Sequence, residues 1–216
     1  IARLDPASGR IESFPERTRD QPITRLWSVL EHGDGSLWVG HSGGLSRYDW
    51  RSHRWRHWRN DEPRDGLLAG PVRQLAQDAQ GRVWLGSYGG GVQARDAEGR
   101  VLLSFEPGDG HGIDSPEQNQ FATGPDGQLW LAGPKGLRRW DEPARRFRSI
   151  EGAPPDAVYG IALAADGRLW LHRMGALEAY RWDGRRLLRE REVSGGDGLP
   201  AVESGGLMLD AQGVAW

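Results

Sequence analysis

Aromatic, cationic and amide side chains recur at one register of this chain. Counting eight residues back from the glycines at 35, 81, 127, 167 and 213 gives Trp27, Arg73, Asn119, Tyr159 and Gly205. A second set, His41, Tyr88, Lys135, His172 and Arg173, follows the first four of those glycines by five to eight residues. Rings of Trp and Tyr stack on sugars and other flat faces, while a guanidinium forks onto a carboxylate. The two sets therefore suit binding of a small polar ligand, ring-shaped or anionic. No Ser-His-Asp order can be picked from the six histidines, so no catalytic residue is assigned. Paired acids such as Asp61 with Glu62, or Asp109 with Asp114, lie in polar connections where nothing would perturb them. His53 and His57 have strand spacing for a metal but no third ligand, and neither a metal nor a cofactor is expected.

What must position these residues is a repeat. Asp34-Gly35-Ser36-Leu37-Trp38-Val39-Gly40 returns at 80–86, 126–132 and 166–171, with a cut-off copy at 212–216. Trp38, Trp84, Trp130, Trp170 and Trp216 stand 46, 46, 40 and 46 residues apart. A period in this range marks a repeat architecture. Each unit reads as four short strands; in the first they fall at 26–32, 36–40, 45–49 and 54–58, with Leu37 and Val39 on one face and Trp38 on the other. The next units give 72–77, 83–86, 92–96 and 101–105; then 118–123, 129–132, 137–141 and 147–150; then 158–163, 169–172, 177–182 and 187–192. Four-stranded antiparallel units of this length, each with a Trp signature, predict an all-β fold, a β-propeller.

The expected organisation is one propeller segment over 1–216. Residues 1–15 supply the outer half of a blade; 16–59, 60–106, 107–150 and 151–192 are blades; 193–216 supply the inner half of another. The two halves allow a five-blade ring or an arc of a larger array, and the arc is preferred because propellers span about four to eight blades and both ends of the chain fall inside a blade; Ile1 in place of Met also suits an internal piece of a longer chain. In this frame both candidate sets fall on one loop face beside the central channel.

Composition narrows the partners. A net charge of −2 argues against whole-chain nucleic-acid binding, and the basic, Trp-rich 50–59 stretch reads as an outermost strand whose cations guard an edge. The absence of cysteine excludes disulfides and thiol chemistry but leaves the compartment open. No apolar run is long enough to cross a bilayer, and no signal peptide is present, so a membrane enters only through a parent chain. The glycine-rich 108–112 and 195–198 stretches lack the Lys-Ser/Thr that a phosphate loop needs.

The run Trp27-Ser-Val-Leu-Glu-His-Gly-Asp-Gly-Ser-Leu-Trp-Val-Gly-His-Ser-Gly-Gly-Leu-Ser-Arg-Tyr-Asp49 resembles the two-component regulator propeller repeat. The second unit matches that repeat from Asp78 through Trp84, then at Gly86, Gly90, Gly91 and Asp96. Departures are His41, Ser87, Gly133 and Arg173 where the repeat has Thr, and His32, Gly124 and Ala164 where it has a leading Asp. The resemblance implies the periplasmic sensor region of a bacterial membrane receptor, non-enzymatic in itself. Such regions are followed by a β-sandwich, a transmembrane helix and a histidine kinase or diguanylate cyclase, and often respond to an oligosaccharide. The alternatives are a propeller lyase or hydrolase acting on a glycan or lactone, in which His41, His111 or His172 would matter, and a protein-interaction scaffold or homodimer.

Overall fold

A computed structural model describes residues 2–13, 17, 18, 21, 22, 25–62, 66–118, 120–199, 206–210 and 213–215. Asp and Gly of the repeat make its first turn. In the second unit Gly81 adopts φ +76°, its N–H donates to Asp78 O, and Asp78 Oδ1 accepts from the N–H groups of Gln80 and Arg82. Glycine enters that left-handed region without the penalty a side chain brings, and the Asp side chain substitutes for missing turn acceptors. Asp34, Asp126 and Asp166 accept from Ser36, Gln128 and Arg168 in the same way.

The turns join four antiparallel four-stranded sheets in chain order. The first holds β5 (Leu26–Glu31), β6 (Leu37–His41), β7 (Gly44–Asp49) and β8 (Arg54–Arg59). The second holds β9 (Val72–Gln77), β10 (Val83–Ser87), β11 (Gly91–Arg95) and β12 (Val101–Phe105). The third holds β13 (Gln120–Thr123), β14 (Leu129–Gly133), β15 (Gly136–Asp141) and β16 (Arg146–Ser149). The fourth holds β17 (Gly160–Leu163), β18 (Arg168–Arg173), β19 (Ala176–Trp182) and β20 (Leu187–Ser194). These are the expected blades, with ends shifted by one or two residues in most strands. The inner strand of the fourth blade begins at Gly160 rather than at 158 because Val158 donates its N–H to Gly133 of the preceding blade. An N-terminal hairpin pairs β1 (Ala2–Leu4) with β2 (Ile11–Ser13) as a two-stranded sheet. A second hairpin, β3 (Arg17–Thr18) with β4 (Gln21–Pro22), was not legible in the repeat. Among the described residues at the C-terminus, Leu209 and Ala215 form an antiparallel bridge.

The core lies between blades. On β10, Val83 and Leu85 pack towards the first blade with Trp38, Leu45 and Trp58, whereas Trp84 packs towards the third with Leu129, Leu131, Trp140 and Phe147. On β14, Leu129 and Leu131 face back and Trp130 faces forward onto Val158, Ile161 and Leu171. Trp38, Trp84 and Trp130 are at most 2% exposed. Burying one such indole contributes about 4–6 kcal/mol gross, against about 1 kcal/mol for a turn hydrogen bond, so the Trp period governs how blades stack. Trp170 is only half-buried, and Trp216 lies outside the described residues.

Candidate functional site

The column read from the sequence sits on a recurrent irregularity. The β5–β6 register shifts between Leu26 and Ser28, so Trp27 is the extra residue; the β9–β10 register shifts likewise and leaves Arg73 extra. In the fourth blade Tyr159 donates its N–H to His172 O, although His172 already pairs with Gly160. A bulge re-aims the side chain it carries and commonly does so next to a binding site. The periodicity showed the column but gave no sign of the bulges.

Three of the expected residues meet. The Arg73 guanidinium lies 4.6 Å from the Trp27 ring centre and 3.9 Å from that of Tyr88. Trp27 is 46% exposed and Tyr88 41%, so two rings hold one cation at the surface. Backbone bonds from Tyr88 N–H to Pro71 O and from Gly89 N–H to Pro116 O fix the turn that carries Tyr88. The Tyr88 phenol is pushed above its ordinary pKa, first by its hydrogen bond to the Glu117 carboxylate and then by that group's charge and by burial. Glu117 was not foreseen, since it lies in a connection outside the repeated positions. Arg73 Nε is buried and has no hydrogen-bond partner among the described residues, nor is Arg73 in an ion pair there. The cluster thus presents a positively charged fork with free donors, flanked by apolar faces.

The remaining candidates are placed differently. His41 was expected in the turn but is the last residue of β6, paired with Leu26 and Gly44, and its ring is buried. Its Nδ1 accepts from Gly43 N–H, which assigns the proton to Nε2; Nε2 then donates to Ser46 Oγ at 2.8 Å, and Ser46 donates to His57 Nδ1 at 2.7 Å. Burial, with the neighbouring His57 in second place, lowers the His41 pKa to about 4. Tyr159 and His172 form a second group, ring centres 6.0 Å apart, with His172 buried. Arg173 is held by Glu178 at 3.1 Å and Asp156 at 3.2 Å, so its charge is balanced internally. Lys135 is exposed at the rim of a narrow cleft with Asp114, Gln118 and Arg138. Asn119 and Gly205 lie outside the described residues. His111 is half-exposed, its Nδ1 3.3 Å from Asp109. Among the described residues no group of three or more potential ligands could hold a metal.

The basic stretch is an outer strand, as expected. On β8 the Arg56 guanidinium lies 4.8 Å from the Trp58 ring and donates to Glu98 O of the next blade, while Arg59 pairs with Asp61. Trp58 itself is buried, stacked on Trp38 with ring centres 5.4 Å apart.

Residues 66–89, which include Arg73 and Tyr88, match the family described as two component regulator propeller. No curated protein matches the chain in sequence. In fold it is similar to the extracellular domain assigned to a hybrid two component system of B. thetaiotaomicron, with a TM-score of 0.79 and 22% identity. That similarity covers 99% of this chain and 29% of the other, so the chain spans less than a third of that domain. It is also similar to virginiamycin B lyase from Staphylococcus aureus, with a TM-score of 0.71 and 13% identity, over 100% of this chain and 69% of the lyase. A further extracellular domain of B. thetaiotaomicron, assigned to a one component system, matches with a TM-score of 0.57 and 16% identity over 100% of this chain and 37% of its own. At these identities the likeness concerns the fold. The chain is a β-propeller fragment in which residues 66–89 match the two component regulator propeller family, and its fold is similar to that of extracellular domains assigned to two-component systems.

Proposed function

We propose that this chain is part of the periplasmic, ligand-sensing propeller of a bacterial membrane receptor. It binds a small polar ligand, a glycan in the leading case, without chemical conversion. The observation that carries this reading is the Arg73 guanidinium held between two exposed rings with a buried Nε that has no hydrogen-bond partner among the described residues. A sugar ring would stack on Trp27 or Tyr88 while an acidic or hydroxyl substituent takes the free donors. Calorimetric titration with a panel of neutral and acidic oligosaccharides tests it. The combined Trp27→Ala and Arg73→Ala variant loses binding while its melting temperature stays unchanged, because Trp27 is exposed and Arg73 has no acid partner among the described residues. Equal affinity in the variant sinks the assignment.

The fold similarity to virginiamycin B lyase favours a second reading, an elimination enzyme. His111, exposed beside Asp109, is then the first candidate base. Turnover of quinupristin, a streptogramin, that disappears in His111→Ala would establish that reading; no turnover removes it.

A further inference from the structure

We propose that the cleft between the third and fourth blades is a second binding site, for a small organic carboxylate with a flat ring-shaped body, held by Arg139 and Trp182. The inference comes from comparing two blades of the same chain. Arg47 stands opposite Trp38 across β6–β7, and Arg139 stands opposite Trp130 across β14–β15. Each guanidinium lies 5.9 Å from the centre of its Trp ring. In the first blade the cation is satisfied: Arg47 Nε donates to Ser36 Oγ at 3.1 Å, and Nη2 donates to Asp34 Oδ2 at 3.0 Å. The same Ser36 hydroxyl accepts from Trp38 Nε1.

In the third blade the Ser acceptor is gone, and the retained Asp makes no bond to the arginine. Gln128 replaces Ser36 and turns its amide to Trp140 O at 2.6 Å, while Asp126 accepts from Gln128 N–H as Asp34 does from Ser36 N–H but has no bond to Arg139 among the described residues. Arg139 has no hydrogen bond and no ion pair among the described residues, and its Nε and Trp130 Nε1 are both buried without a partner. A half-buried cation without an acid is costly, which is a reason to expect an external one.

The space for it exists. A cavity of about 400 Å³ opens there, lined by Arg139, Gln128, Trp182, Arg148, Glu151 and Arg185 among others. That is the size of a site for a small ligand. Trp182 supplies a ring face, with the Arg139 guanidinium 5.1 Å from its centre. The acids of the lining are already engaged: Asp141 with Arg148, Glu142 with Arg82 and with Trp140 Nε1, Glu151 with Arg185. Arg139 is therefore the lining cation left uncompensated. A cavity of about 340 Å³ at the matching place in the first blade has its arginine neutralised and serves as an internal control.

D-glucuronate, with methyl glucoside as the neutral probe, tests the site on the intact chain by tryptophan fluorescence and indole N–H resonances. Glucuronate is expected to saturate, to shift the Trp130 and Trp182 indole signals, and to bind at least tenfold more weakly to Arg139→Gln. Arg47→Gln should bind as the parent does, and methyl glucoside should not bind. If Arg139→Gln proves unstable, the indole shifts in the parent chain decide alone. Absence of saturation, or shifts that spare Trp130 and Trp182, overturns the proposal. Binding that survives Arg139→Gln but vanishes in Arg73→Gln also overturns it, and assigns the carboxylate to the loop-face cluster instead.

Discussion

Asp78 shows how much one side chain of the repeat can hold. It is nearly buried and accepts four hydrogen bonds, from the N–H groups of Gln80 and Arg82, from Arg82 Nε and from Trp84 Nε1. Asp78→Ala removes the acceptor of Arg82 Nε and of the buried Trp84 indole, although Arg82 keeps Glu142, at a cost of about 3 kcal/mol. Scanning calorimetry should record a fall of roughly 6–12 °C. The His41–Ser46–His57 chain has a different signature. Burial holds both imidazoles below their ordinary pKa, His41 at about 4, so between pH 6.5 and 4 the unfolded chain binds more protons than the folded one. Stability is therefore complete above pH 6.5 and declines as pH falls towards 4. His41→Gln should flatten that decline, and an unchanged slope would refute the role given to His41. Burial would raise the Asp34 pKa, but bonds from Ser36, His32 and Arg47 outweigh it and hold the carboxyl well below the usual range. Its contribution is lost only below the ordinary carboxylate pKa, so the two windows separate.

At the scale of the strand, each third strand of the first two blades starts where only glycine fits. A Cβ on Gly44 would stand 2.3 Å from Trp58 O, and one on Gly91 would stand 2.2 Å from Phe105 O, both at positive φ. Gly91→Ala combines overpacking with backbone strain and should cost about 3 kcal/mol, measured as a lower denaturation midpoint. Such positions were legible beforehand, because turn glycines and alternating apolar residues repeat with the period of the fold. The Trp27–Arg73 column was legible for the same reason: counting from a glycine lands on one place in every blade. The inward turn of the His41 ring was not, since the sequence placed His41 in a loop whereas it closes β6, where the strand sets its direction. Arg139 was missed although a signal existed. Aligning 34–47 with 126–139 shows that Arg is kept while its Ser partner becomes Gln, a mismatch visible only once the strand register pairs Arg47 with Trp38.

Across the whole molecule, glutamines on inner strands tie successive blades. Gln77 accepts from Gly33 N–H of the first blade, and its carbonyl accepts from Thr123 Oγ of the third. Gln120 Oε1 accepts from Ile161 and Leu207 N–H while its amide donates to Leu207 O. Blades covered on both sides should open least. Amides of β10 and β14, buried throughout, are expected to exchange with solvent roughly a hundredfold more slowly than those of β20, which is mostly exposed. Comparable rates would mean that blades open independently of their neighbours. The alternation that sends Leu and Val backward and Trp forward also gives the array a direction, as a screw has one. On the second strand of the second and third blades, Leu or Val faces one flank and Trp the other, so these strands meet their neighbours head to tail. A two-fold axis through such a flank would oppose like with like, whereas the translation and rotation that relate successive blades oppose Leu or Val to Trp.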